Sequence, residues 1–219
     1  MADPRVLVAR APSAIEINKV LRSTYALLAM TLVWSAVTAS AAVALGAPHL
    51  GFITLLVFIG LLFMVHKTAN SAWGLVWTFA LTGFLGFSLA PLLSAVLGMA
   101  NGGMIVAQSL GITAVAFFGL SIYTVTTKRD FSFLTGFLIV GAIVILASWV
   151  VSLFYWTTLM SQVMAGICIL FGAALILWET SAVVRGEETN YIRATVGIYV
   201  GLYNIFSSVL LLFGLGGDD

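Results

Sequence analysis

The chain has 219 residues, 62% of them hydrophobic and only 8% charged, with nine Lys and Arg against eight Asp and Glu and a mean hydropathy of +1.15. A soluble domain is about 45–50% apolar and about 25% charged, and a globule of this size has too much surface to hide the excess, so lipid is the natural solvent. The near-zero net charge excludes a basic nucleic-acid face, and the single cysteine, Cys168, excludes an internal disulfide and a thiolate metal cluster.

A membrane-crossing helix takes about 20 mostly apolar residues. The first 22 residues are mixed and charged, with Pro4 and Pro12, and read as an N-terminal cytoplasmic tail rather than a cleaved signal. Span 1 follows from Ser23 to Leu45 and stops at GAPHLG. Span 2 runs from Phe52 to Val65 and is short. Span 3 runs from Trp73 to Leu97, bent at Pro91, which removes one backbone donor. Span 4 runs from Met104 to Thr126, and span 5 from Phe131 to Phe154. Only Tyr155, Trp156 and Thr157 separate span 5 from span 6, which runs from Thr158 to Trp178 and is closed by Glu179. Span 7 runs from Ala194 to Leu215, leaving residues 216–219 as a short outer tail. The transmembrane domain is thus 23–215. Helices are the expected form, because lipid leaves no partner for unpaired backbone groups and the runs lack the alternation of barrel strands.

Seven spans place all nine cations on one side: Arg5, Arg10, Lys19 and Arg22 before span 1, Lys67 after span 2, Lys128 and Arg129 after span 4, Arg185 and Arg193 between spans 6 and 7. Short basic loops stay in the cytoplasm, so the N-terminus is expected inside and the C-terminus outside. His49 and His66 fall on opposite sides. No phosphate loop, zinc helix motif or nucleophile constellation is present, so no enzyme activity and no cofactor are expected.

Span 7 carries the most information. Arg193, Gly197, Gly201, Asn204 and Ser208 recur at helical spacing and share a face. Gly197 and Gly201 form a small-xxx-small pair suited to close helix packing, as are Gly83 and Gly86 of span 3. Asn204 puts an amide deep in the span, where it needs a partner. This face reads either as the lining of a polar path through a central helix or as a tight helix contact. Glu179 is the acid nearest the hydrocarbon, so it is a candidate ion- or pH-sensing residue, together with Arg193 and Asn204. Its structural alternative is an ion pair with Arg185 or Arg193 at the end of span 6. Glu187 and Glu188 read as solvated loop residues.

The strings KVLRSTYALLAMTL, TGFLGFSLAPLL, ITAVAFF, TTKRDFSFL and WETSAVVRGEETNYIRATVGIYVGLYNIF together resemble the Bax inhibitor-1 family, and within it the bacterial YccA branch, from about Lys19 to Gly214. Ala90, before Pro91, departs from the glycine usual there. The resemblance implies a seven-helix bundle with span 7 central. It implies an inner-membrane protein that engages FtsH, the membrane-anchored ATP-dependent protease, as substrate and competitive modulator. Other members of the family act as pH-sensitive calcium leak channels gated by two acids. The resemblance matches the first acid to Glu179 and places the second at Gly201, which has no carboxylate. Calcium enters only as the ion such a leak would carry.

Overall fold

The computed structural model describes residues 13–152, 154–155 and 157–215, and these contain helices and no strand. The helices are α1 (Ala14–Ala44), α2 (Phe52–Thr68), α3 (Ala72–Ser88), α4 (Ala90–Leu97), α5 (Gly102–Thr127), α6 (Leu134–Val151), α7 (Thr158–Val184) and α8 (Tyr191–Leu215). Six of the resulting segments are long and apolar enough to cross a membrane, counting α3 and α4 as one. The seventh apolar helix, α2, has 17 residues and spans about 25 Å at 1.5 Å per residue, against about 30 Å of hydrocarbon. The chain is a multi-pass membrane protein.

Several boundaries differ from those read in the sequence. Helix α1 begins at Ala14, not at Ser23. Ser13 caps it: the Ser13 hydroxyl accepts from the Glu16 N–H while the Glu16 carboxylate accepts from the Ser13 N–H at 2.7 Å. This capping box satisfies donors that would otherwise be orphaned and starts the helix early. At 31 residues, α1 is about 46 Å long, so Ala14 to Arg22 form helical turns rather than a tail. Residues 1–12 and 216–219, to which the rest of the N-terminal tail and the outer tail were assigned, lie outside the described residues. Helix α7 continues to Val184, past the expected stop at Trp178, so Glu179 lies within it.

At Pro91, where a bend was expected, span 3 divides into two helices. The α3 helix ends at Ser88, Leu89 sits at the junction, and Pro91 enters α4 in its first turn, where its missing N–H costs nothing. Ser88 Oγ bridges the break to Tyr203 Oη at 3.0 Å.

Helix α8 packs against α7, α5, α1, α3, α4 and α2 and is the centre of the bundle. Its Val196, Ile198, Tyr199, Leu202, Ile205 and Val209 supply much of the main buried cluster. Side-chain bonds lock its height: Thr195 Oγ1 donates to Thr24 O at 3.1 Å, and Tyr199 Oη bonds Ser35 Oγ at 2.6 Å and Thr82 O at 3.2 Å. At one end, Asn190 Nδ2 donates to Ala69 O and Asn70 Oδ1, and Arg185 pairs with Asp130. These links gather the α2–α3, α5–α6 and α7–α8 connections with the start of α1. Every described Lys and Arg therefore lies toward one end of the bundle. His66 is toward that end and His49 is at the other.

Candidate functional site

The α7–α8 contact is the most extensive in the molecule, and it is made through glycines. A Cβ on Gly201 would meet Gly172 O at 2.8 Å and Ile176 Cγ1 at 2.8 Å. A Cβ on Gly172 would meet Gly201 O at 2.5 Å. Two glycines on facing helices let the backbones approach to a distance no side chain permits. In α3, Gly83 lies under the Trp34 ring and Gly86 against Thr38 Oγ1 on α1, and Trp34 Nε1 donates to Phe79 O at 3.0 Å. Asn204 finds its partner on its own helix. Its amide donates to Val200 O at 2.9 Å on its own helix, and its Cβ lies beside Gly172.

Glu179 occupies a notch in the same contact. Its carboxylate lies against Gly197, and a Cβ at position 197 would overlap it. Gly201, one helical turn further on, lies against Gly172 and Ile176. Gly201 itself brings no carboxylate to Glu179.

A different acid approaches instead. Gly186, at φ +76°, turns the chain after α7, and Glu188 then folds back over the start of α8. Arg193 Nε donates to Glu188 Oε2 at 2.8 Å and Arg193 Nη2 to Glu188 Oε1 at 2.9 Å, a two-pronged pair. The Glu188 side chain is 18% exposed, so it is not the solvated loop residue read from the sequence. Asn190 N–H donates to it at 2.7 Å, and Asn190 Oδ1 accepts from Ile192 N–H at 2.9 Å, capping α8. Burial pushes the Glu188 carboxyl up, but the Arg193 and Asn190 hydrogen bonds more than offset this and hold it below the usual carboxylate range.

Glu188 and Arg193 are the charged neighbours of Glu179. Among the described residues the Glu179 carboxylate has no hydrogen-bonded or ion-paired partner. The expected pair with Arg185 or Arg193 is not formed, because each arginine is engaged elsewhere: Arg193 with Glu188, Arg185 with Asp130 and Glu187. The site is thus one unpaired carboxylate, Glu179, beside the Glu188–Arg193 ion pair at the cation-bearing end of the central helix. Among the described residues no three His, Cys, Asp or Glu side chains gather as a metal site would require.

The α5–α6 turn is docked onto α7 beside this cluster. Ser181 Oγ donates to Arg129 O at 2.9 Å and accepts from Phe131 N–H at 3.3 Å. The Ser132 backbone N–H holds the Asp130 carboxyl low, with Arg185 adding to the effect. Sequence reasoning missed both Glu188 and Ser181. Neither residue type is unusual in a loop or helix end, and their partners are distant or reached only through the turn at Gly186.

A glycine-zipped central helix, a proline-broken span and an acid notch at the cation-bearing end define a helical membrane protein of a particular family. A family profile described as inhibitor of apoptosis-promoting Bax1 matches residues 17–218, and the chain belongs to this Bax inhibitor-1 family. It is 45% identical over 208 residues to "Modulator of FtsH protease YccA" of Escherichia coli strain K12, covering 94% of both chains. The same figures hold for "Inner membrane protein YccA" of Escherichia coli O6:H1. An "Uncharacterized membrane protein" of Vibrio cholerae is 44% identical over 207 residues, covering 94% of this chain and 93% of the relative.

Proposed function

We propose that the chain is a non-enzymatic inner-membrane protein that binds the membrane AAA protease FtsH and modulates it as a competing substrate. The observation that carries this reading is the 45% identity, across 94% of both chains, to a relative named for that modulation. Seven crossings with the N-terminus in the cytoplasm fit it, since the protease domains would then meet the cation-bearing end. The segregation of the described cations supports that orientation.

The test is a detergent pull-down of the full chain with FtsH, paired with a degradation assay. Co-purification is expected, as is altered turnover when residues 2–12 are removed, since chain termini are where proteolysis concentrates. No co-purification and no dependence of turnover on FtsH would end the proposal. Orientation is read separately in a Cys168→Ser background. Ser71→Cys and Ser132→Cys should label from the cytoplasm, and Ala100→Cys only from the other side.

A second reading, a pH-sensitive calcium leak, is supported by one observation: Glu188 is a charged neighbour of Glu179. Two neighbouring carboxylates titrate as a unit. Calcium flux into proteoliposomes that rises or falls with pH, and changes in Glu179→Gln and Glu188→Gln, is expected on this reading. Flux equal to that of empty vesicles would remove it.

A further inference from the structure

We propose that the lateral groove between α1 and α5 holds one anionic phospholipid of the bilayer, its acyl chains in the apolar slot and its headgroup at the cation-bearing end.

Helices α1 and α5 both pack on α8 but not closely on each other. Between them lies a cavity of about 1150 Å³, floored by α8 and closed at the far end by α4. Leu28, Leu93, Leu110, Phe117 and Leu202 line it. Leu32, Leu110 and Ile122 on its walls are exposed, so the groove opens sideways into lipid.

Its polar atoms are unevenly satisfied. Tyr199 and Tyr203 in the floor bond Ser35 and Ser88. On α5, Thr113 Oγ1 donates back to its own helix at 2.7 Å. The Tyr25 and Ser121 hydroxyls, on opposite walls near one end, are buried with no partner among the described residues. Ser121 is only 6% exposed. Tyr25 packs edge-on against Phe117, one turn from Ser121, which places both hydroxyls at a similar depth.

Charge lies just beyond them. Arg22 is three residues before Tyr25 on α1, about 5 Å along the axis. Lys128 and Arg129 follow the end of α5, about 10 Å beyond Ser121. The interfacial layer on each side of a bilayer is about 5–8 Å deep. This order of apolar slot, free hydroxyl and cation matches the acyl chain, ester carbonyl and phosphate of a phospholipid. A transmembrane helix fits less well, because its apolar face carries no anion to meet Arg22, Lys128 and Arg129, whereas a lipid phosphate does.

The test is native mass spectrometry of the full chain in mild detergent, with added phosphatidylglycerol or phosphatidylcholine. The wild type should retain one phospholipid and prefer phosphatidylglycerol. Tyr25→Phe with Ser121→Ala should weaken retention by about tenfold, the equivalent of one or two hydrogen bonds. Arg22→Gln with Lys128→Gln should abolish the headgroup preference. Ala36→Trp with Ala114→Phe, which fill the slot, should abolish retention, whereas Ile139→Trp on the outer face of α6 should not. If the filled-slot variant does not fold, the hydroxyl pair alone decides. Equal retention in wild type and hydroxyl variant would overturn the proposal. So would an Ala36→Cys cross-link to a second polypeptide with no lipid bound.

Discussion

The carboxylate of Glu179 on α7 lies against the bare Cα of Gly197 on α8, and a Cβ there would overlap it. The two positions therefore form one steric unit, in which the size of one residue sets the room for the other. Gly197→Ala should lower stability by about 1–3 kcal/mol through overpacking. Glu179→Ala in the same background should recover most of that loss. Thermal unfolding in detergent of the two single variants and the double variant measures the coupling. Strictly additive losses would contradict the contact.

Gly201 tests the helix contact without a charge. Gly201→Leu drives a side chain into Gly172 O and Ile176 and should cost more than about 2 kcal/mol. Gly119 on α5 has open space where a Cβ would point, so Gly119→Ala should be neutral or should stabilise by up to about 1 kcal/mol, the helix cost of glycine. Equal losses at both sites would show that α7 and α8 are not in backbone contact at Gly201.

Ser181 is 2% exposed and serves two backbone groups of the α5–α6 turn. Ser181→Ala leaves Arg129 O and Phe131 N–H without it and should cost about 1–3 kcal/mol. Hydrogen exchange should accelerate selectively at Phe131. Unchanged exchange at that amide would rule the bond out.

The Glu188–Arg193 pair gives a pH signature. The Glu188 carboxyl is held below its ordinary value, so the folded state favours the charged form. Its contribution is complete above the ordinary carboxylate range and is lost as pH falls through the lowered value. Glu188→Gln should flatten that acid limb of stability. With both side chains partly exposed, Glu188 at 18% and Arg193 at 36%, the loss at neutral pH should be about 1 kcal/mol. A pH–stability profile superimposable on the wild type would refute the pairing.

Much of the bundle was legible before any coordinates. Six of the apolar runs became spanning helices, the bend expected at Pro91 appeared as a break in its span, and span 7 became the central helix. The misreadings share a cause. Helix α1 starts at Ala14 because a capping box, not hydrophobicity, decides where a helix begins, and α7 passes Trp178 because helical hydrogen bonding does not stop at the first acid.

Composition and the order of apolar runs determined by themselves that this is a helical membrane protein with its cations at one end. Both follow from the cost of burying charge and unpaired backbone in lipid, a cost each segment meets alone. Only the tertiary structure decided which acid stands beside Glu179, that Gly201 packs against Gly172, and that a groove with two unmet hydroxyls separates α1 from α5. These depend on the rotation and height of one helix against another, which side-chain packing sets and no single segment encodes.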